Sequence, residues 1–182
     1  MARVVVPLAD GFEEIEAISI IDILRRANID VVIAGLHDGY ITSARGVKVI
    51  PDTTIDTIKA DDFDMIVLPG GQPGTDNLNA DERVRKLIVD FYSKGKLTGA
   101  ICAAPYVLAN AGVLSGKKAT SYPTYREKLK DATYLEEEVV EDSNVLTSRG
   151  PGTAASFALK IVEKLKGKEV AENIRNGMLF RC

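Results

Sequence analysis

The chain has 182 residues, of which 46% are hydrophobic and 27% charged, with 23 basic against 26 acidic side chains. This composition is typical of a globular protein and excludes a collagen-like fibre, a disulfide-rich peptide and a mainly disordered chain. We expect one domain over residues 1–182, because a chain of this length buries about 70% of the surface that its unfolded form exposes. A formal net charge of −3 gives no reason to expect a basic surface for nucleic acid.

The sequence contains no apolar stretch near the roughly 20 residues that a membrane-spanning helix needs. No charged and then apolar signal segment opens the chain, so we expect a cytoplasmic protein without a membrane partner. The two cysteines, Cys102 and Cys182, form no Cys-x-x-Cys pair, and we therefore expect neither a structural disulfide nor a zinc site. No other metal or cofactor is expected. Cys182 ends the chain and is expected to be frayed and non-catalytic.

Apolar runs alternate with helical patterns along the chain. Five runs bounded by turn residues predict buried strands: Val4–Leu8, Val31–Ala34, Met65–Leu68, Leu97–Ile101 and Val145–Thr147. Between them, helical spacing predicts a helix over residues 12–27, a second helix capped by Asn79 with Glu82 three residues on, and a last helix closed by Gly167. A small hairpin is predicted over residues 40–50. This alternation is typical of a parallel sheet with helices on both faces.

Three of the predicted strands end in unusual residues, at Leu8–Gly11, Leu68–Gly71 and Ile101–Ala103. In open parallel sheets, ligands bind where the strands end and the helices begin. The convergence of these three segments at one sheet edge therefore predicts the functional site.

The first helix places a carboxylate on its apolar face. On a helical wheel, Glu16 falls between Ile23 and Ala27 in the middle of the apolar arc. Burial there should raise the pKa of the Glu16 carboxyl, unless the side chain caps a backbone amide or reaches solvent at the helix edge. Glu13 also projects toward the arc, but it lies in the first turn, where the helix dipole and solvent can accommodate its charge.

Two isoleucines interrupt the polar side of the same helix. Ile15 and Ile18 make this helix apolar on nearly all sides, which is typical of a helix buried on both sides. We therefore predict that Ile15 and Ile18 contact a second subunit.

Cys102 lies between a predicted strand and a helix that begins near Pro105. The small residues on both sides allow a tight strand-to-helix elbow, and the helix N-terminus is expected to lower the thiol pKa and favour a reactive thiolate. The alternative is an inert cysteine packed beneath a helix. A backbone N–H of Gly70 or Gly71, together with that of Ala103, can form an oxyanion hole, although a Gly-Gly pair is also an ordinary turn.

The remaining polar motifs carry weaker signals. The run Ser148–Thr153 precedes the last long helix and can bind an anion, but it lacks the lysine of a nucleotide-binding P-loop. The single histidine, His37, is expected to be a solvated loop residue, which disfavours Cys-His chemistry. The run Glu136–Glu138 is expected to be a solvated patch.

Four motifs together resemble the ThiJ/PfpI superfamily, and most closely its branch of parkinsonism-associated protein deglycases. They are Gly11–Glu16, Val67–Gly71, Ala100–Pro105 and Leu146–Thr153. The resemblance runs nearly end to end and implies an α/β fold, a flavodoxin-like three-layer sandwich with a mainly parallel central sheet that forms a homodimer through its first helix. It also implies a reactive Cys102 hydrogen-bonded to a protonated Glu16, with Gly71 and Ala103 as oxyanion donors.

By the same resemblance, Arg45 is expected at the dimer interface near the site. Many relatives carry a histidine beside the cysteine, and Tyr122 stands at the matching position here, where it is a poor base but a good hydrogen-bond donor. With Gly70, the residues Tyr122, Arg149 and Gly150 complete the expected oxyanion and substrate-binding set.

The resemblance implies a cofactor-independent enzyme that acts on α-oxoaldehydes such as methylglyoxal, or on their protein adducts, in the manner of a glyoxalase or protein deglycase. Such an enzyme protects against carbonyl and oxidative stress, and its partner is a small carbonyl compound or a glycated protein. The alternative is a redox sensor or chaperone-like stress protein that signals through oxidation of Cys102. An intracellular peptidase ranks last, because the expected histidine is missing.

Overall fold

The computed structural model describes residues 1–180, so the prediction for Cys182 lies outside the described residues. The first half of the chain contains β1 (Arg3–Leu8), α1 (Glu14–Arg26), β2 (Asp30–Gly35), β3 (Ile41–Thr42), β4 (Lys48–Val49), β5 (Thr53–Thr54), β6 (Met65–Leu68), α2 (Gly74–Ala80) and α3 (Glu82–Ser93). The second half contains β7 (Leu97–Ile101), α4 (Pro105–Asn110), β8 (Lys118–Ala119), β9 (Thr133–Tyr134), β10 (Val139–Asp142), β11 (Val145–Ser148), α5 (Ala154–Lys166) and α6 (Lys168–Gly177).

Within the described residues, seven strands form the central sheet in the order β10-β11-β7-β6-β1-β2-β5. Every neighbouring pair in it is parallel except the edge pair β10–β11. The five long parallel strands follow the order 2-1-3-4-5, which is that of flavodoxin-like folds, and this confirms the predicted fold class. From β1 the chain adds β2 on one side, and then β6, β7 and β11 on the other, so the strand order reverses between β1 and β6. At such a point the carboxyl ends of the two strands border a crevice.

Helices cover both faces of the sheet, as predicted. One core packs α1, α5 and α6 on one face, around fully buried side chains such as Phe12 and Phe157. The second core packs α2, α3 and α4 on the opposite face, around Phe91 and Leu68. Because both faces are covered, the central strands read as continuous apolar runs rather than as alternating ones.

The prediction over residues 40–50 is confirmed, because β3 and β4 pair antiparallel there. The predicted cap of the helix beyond Asn79 is wrong. Asp81 is the N-cap of α3, and its carboxylate accepts a hydrogen bond from the N–H of Arg83 at 2.9 Å. Asn79 belongs to the preceding helix α2, because the chain forms two helices where one was expected. The side chain of Asn79 accepts a hydrogen bond from that of Asn110 instead of capping a helix.

Candidate active site

The three strand ends meet at the carboxyl edge of the sheet, as expected, and Gly70 lies between them. The N–H of Glu13 donates to the Gly70 carbonyl at 2.8 Å, and the N–H of Gly70 donates to Oε2 of Glu16 at 2.7 Å. A Cβ atom on Gly70 would lie 2.7 Å from Cβ of Cys102 and 2.9 Å from Oε2 of Glu16. Only glycine fits here, because its missing side chain is what allows the carboxyl and the cysteine to approach each other.

Glu16 is fully buried on α1, in the position that the helical wheel predicts. Burial raises the pKa of Glu16 to about 7, although the N–H of Gly70 and the thiol of Cys102 both hydrogen-bond the carboxyl and oppose that rise. Its other oxygen, Oε1, is buried without a hydrogen-bond partner among the described residues. An anionic oxygen without a donor is costly in a buried site, so the carboxyl is held near the point where it gains or loses a proton at neutral pH.

Cys102 occupies a strained turn between β7 and α4. Its φ angle is +63°, in the left-handed region that a residue with a side chain rarely adopts. The Cys102 N–H donates to the carbonyl of Ser148 at 3.0 Å, and its carbonyl accepts from the N–H of Tyr122 at 2.8 Å. These two bonds hold the elbow from neighbouring strands and loops, and they support the predicted nucleophile-elbow geometry.

The prediction of a lowered thiol pKa at Cys102 is wrong. Burial, and then the charge of an ionised Glu16 and a hydrogen bond to it, raise the pKa of the thiol well above its usual range. The Glu16 carboxyl and the Cys102 thiol therefore titrate as a coupled pair. When Glu16 holds the proton, its negative charge is gone and no longer opposes ionisation of the thiol. Hydrogen bonds from the backbone N–H groups of Ala103 and Gly71 lower the pKa of the thiol, but burial and Glu16 outweigh them.

The N–H groups of Gly71 and Ala103 both hydrogen-bond the Cys102 sulfur, and both lower its pKa. These are the donors that the sequence predicted for an oxyanion hole. Gly71 has a φ of +95°, and a Cβ atom on it would lie 2.3 Å from the backbone nitrogen of Glu13, so glycine is required. The N–H of Gly70 is occupied by Glu16, so Gly70 positions the carboxyl and is not an oxyanion donor.

The expected substrate-binding residues Tyr122, Arg149 and Gly150 line one cavity of about 260 Å³. The Tyr122 ring packs against Gly150. A Cβ atom built on Gly150 would lie 3.4 Å from Cδ2 of the ring. Arg149 donates to the carbonyl of Glu136 at 3.2 Å. Tyr122 connects the lining of this cavity to the elbow, because its N–H donates to the Cys102 carbonyl at 2.8 Å.

The acidic group at the start of α1 is satisfied by an arginine rather than by solvent. Glu13 is buried, and its carboxylate pairs with Arg45 at 2.9 Å. Arg45 lies between β3 and β4, so this ion pair ties the hairpin to α1 beside Glu16. Ile15 and Ile18 are 56% and 43% exposed, so the two isoleucines on the outer side of α1 are uncovered in the single chain. The dimer interface at Ile15, Ile18 and Arg45 stays a prediction.

His37 is half exposed, as predicted, and its ring hydrogen-bonds the carbonyl of Asp38 and the carboxylate of Asp10, each at 2.8 Å. These two acceptors raise the pKa of His37. Asp10 also accepts from the N–H of Thr42 at 2.8 Å, so the pair fastens the hairpin to the end of β1. The run Glu136–Glu138 is exposed, as predicted.

Sequence reasoning missed two residues beside the site, Gln72 and Tyr125. The side-chain amide of Gln72 donates to the phenol oxygen of Tyr125. They are 53 residues apart, so no local pattern signals their contact, and only the meeting of two loops at the sheet edge creates it.

Among residues 1–180, no three His, Cys, Asp or Glu side chains are grouped to hold a metal ion. Nor does that part of the chain contain a helix long and apolar enough to cross a membrane.

The fold and site together define a flavodoxin-like α/β protein with a cysteine at a nucleophile elbow beside a buried carboxyl. Residues 2–164 match the model of the DJ-1/PfpI family. The chain is 46% identical over 175 residues to protein dj-1beta of Drosophila melanogaster, covering 94% of each chain. It is 37% identical over 175 residues to the glutathione-independent glyoxalase DJR-1.2 of Caenorhabditis elegans, covering 95% of this chain and 92% of that one.

The solved structure of oxidized DJ-1 from Toxoplasma gondii superposes with a TM-score of 0.96 at 37% identity, and the match covers 100% of both chains. The chain belongs to the DJ-1/PfpI family.

Proposed function

We propose that this protein is a cysteine-dependent enzyme that converts small α-oxoaldehydes such as methylglyoxal, or their protein adducts, to hydroxy acids without a cofactor. The observation that carries the proposal is the juxtaposition of Cys102 and Glu16 over Gly70, with two backbone N–H groups aimed at the sulfur. The name of the nematode relative, a glutathione-independent glyoxalase, supports the same reaction class.

The first step is addition of sulfur to the aldehyde carbon. Glu16 takes the thiol proton as the Cys102 sulfur attacks, and the carbonyl oxygen becomes an oxyanion. The N–H groups of Gly71 and Ala103 then stabilise that oxyanion until Glu16 returns the proton to it, which gives a hemithioacetal and restores the Glu16 carboxylate. A carboxyl with a pKa of about 7 is suited to this role, because it accepts and returns a proton at neutral pH.

In the next step, Glu16 removes the proton from the carbon that carries the sulfur, and the electron pair moves to the neighbouring carbonyl, which gives an enediolate. Glu16 then delivers this proton to the neighbouring carbon while the hydroxyl proton passes to the alkoxide oxygen, which forms a thioester between Cys102 and the hydroxyacyl group. Water hydrolyses this thioester and restores the thiol, so one aldehyde and one water give one hydroxy acid, lactate in the case of methylglyoxal. The oxidation of one carbon balances the reduction of the other, and no external oxidant is needed.

The test is methylglyoxal turnover by the wild type, Cys102→Ser and Glu16→Gln. We expect each variant to lose at least about 100-fold in kcat/KM, the usual contribution of a general base or a covalent nucleophile. Gln keeps the acceptor for the Gly70 N–H, so the Glu16→Gln protein should fold as the wild type does. Comparable rates in all three proteins would reject the proposal.

A second candidate function is redox sensing, in which a chaperone-like or signalling response follows oxidation of Cys102 to the sulfinate. The hydrogen-bond donors around the Cys102 sulfur favour this second function. The protonated carboxyl of Glu16 and the N–H groups of Gly71 and Ala103 would also donate to the oxygens of a sulfinate. The relative from Toxoplasma gondii has been described in an oxidized form.

Mass spectrometry after mild peroxide treatment separates the two functions when it is set beside the turnover assay. Stoichiometric oxidation of Cys102 without aldehyde consumption favours the sensor. A peptidase has no support here, since the single histidine hydrogen-bonds Asp10 and Asp38.

A further inference from the structure

One side-chain hydrogen bond of the site has no part in the proposed chemistry. The amide of Gln72 donates to the phenol oxygen of Tyr125, a contact that we call the Gln72–Tyr125 bridge. Gln72 directly follows Gly71, whose N–H faces the Cys102 sulfur. Tyr125 follows Tyr122 in a short turn, and its N–H donates to the Tyr122 carbonyl at 2.9 Å.

The two loops that this bridge joins both contact Cys102. On one side, the N–H of Gly71 reaches the sulfur, and on the other the N–H of Tyr122 binds the Cys102 carbonyl at 2.8 Å. A bond between the residues just beyond these contacts spans the gap between the loops. Cys102 itself is only partly exposed, so a reagent reaches its sulfur through a restricted opening.

Both ends of the bridge are held in place by further contacts. Gln72 Nε2 also lies 3.3 Å from the carboxylate of Asp76. The centroid of the Tyr125 ring lies 6.2 Å from that of Tyr106 and 4.4 Å from Nζ of Lys128. The bridge therefore has defined partners at each end rather than one freely rotating contact.

We propose that the Gln72–Tyr125 bridge determines substrate size at Cys102, admitting free small α-oxoaldehydes and excluding aldehyde adducts carried on protein side chains. This inference rests on the proposed function and narrows its substrate class. On this proposal, a free three-carbon aldehyde reaches the sulfur with the bridge in place. An adduct on a folded protein brings its own backbone with it and needs the two loops to part.

Access to the sulfur can be measured without any turnover. In a Cys182→Ser background, Cys102 is alkylated with iodoacetamide, which is small, and with fluorescein maleimide, which is bulky. Gln72→Ala and Tyr125→Phe each remove one partner of the bridge. Tyr106→Phe is the matched control, because it removes a phenol oxygen from the adjacent ring and leaves the bridge intact.

We expect the ratio of the bulky to the small alkylation rate to rise about tenfold in Gln72→Ala and Tyr125→Phe, the effect of one lost hydrogen bond, and to stay unchanged in Tyr106→Phe. An unchanged iodoacetamide rate shows that the elbow is still folded. If the ratio is the same in all four proteins, the bridge does not control access and the proposal is overturned.

The substrate itself is tested with free methylglyoxal and with methylglyoxal-treated albumin, corrected for spontaneous release of aldehyde. The wild type should consume only the free aldehyde, and Gln72→Ala should gain activity on the albumin adduct. Equal wild-type activity on both would reject the size limit. A wild type that consumes neither, but still shows the alkylation shift, would reject the proposed function and leave the control of access standing.

Discussion

At the scale of single residues, the proposed chemistry depends on one carboxyl, that of Glu16, which burial has made weakly acidic. Glu16 is fully buried, and its pKa of about 7 stands above the ordinary value of 4.5. The same burial that would suit this carboxyl to the proposed proton transfer is unfavourable once the carboxyl is ionised. Function and stability are therefore coupled through this one side chain.

That coupling predicts a pH-dependent stability. The folded protein binds the Glu16 proton more tightly than the unfolded chain, so its contribution is present below about pH 4.5 and is lost as the pH rises through about 7. Relative to Glu16→Gln, the wild type should lose up to about 3 kcal/mol of unfolding free energy between these limits. Urea unfolding of both proteins across this range measures the difference. If the unfolding free energies of the two proteins change in parallel with pH, burial does not raise the pKa of Glu16.

At the scale of elements, the short connections decide where each helix begins. The chain between β6 and β7 forms two helices, α2 and α3, and Asp81 starts the second by accepting from the N–H of Arg83. An aspartate at this position satisfies a backbone donor that the helix cannot satisfy itself.

We expect Asp81→Ala to lower the unfolding free energy by about 1 kcal/mol, the usual cost of losing an N-cap. Asp81→Asn is the control, because it keeps the capping oxygen and removes the charge that pairs with Arg83. It should lose less than half as much, since the ion pair is partly exposed. Thermal or urea unfolding measures both, and an equal loss in the two variants would assign the effect to the ion pair.

At the scale of the whole molecule, α1 has one face toward Cys102 and another face toward solvent. Ile15 and Ile18 lie on the exposed face, next to the residue that carries the buried carboxyl. A second subunit on this face would cover both isoleucines and border the active site of each chain. We therefore expect the dimer interface to lie next to the candidate active site.

Sedimentation of the wild type and of the double variant Ile15→Asp/Ile18→Asp tests this arrangement. The wild type should sediment as a dimer and the double variant as a monomer, because two buried aspartates without partners are strongly unfavourable in an apolar interface. Val89→Asp is the control, since Val89 is 44% exposed but lies on α3, on the opposite face of the sheet. A monomeric wild type would contradict the prediction.

Local patterns in the sequence were sufficient for much of the molecule. Alternating apolar runs and helical spacing predicted the parallel sheet, because burial on both faces imposes a composition that can be read without coordinates. The helical wheel likewise placed Glu16 on the apolar face. The cap at Asn79 was wrong, because sequence spacing alone does not show that α2 ends before α3 begins.

Only the tertiary structure decided how Glu16 and Cys102 influence each other. Helix-end electrostatics alone predicted a lowered thiol pKa, but burial and the neighbouring carboxyl come from segments distant in sequence, and they reverse its direction. The Gln72–Tyr125 bridge likewise arises only where two loops meet. Side-chain type and periodicity are local properties that a sequence carries, whereas desolvation and charge proximity depend on which distant segments the fold brings together.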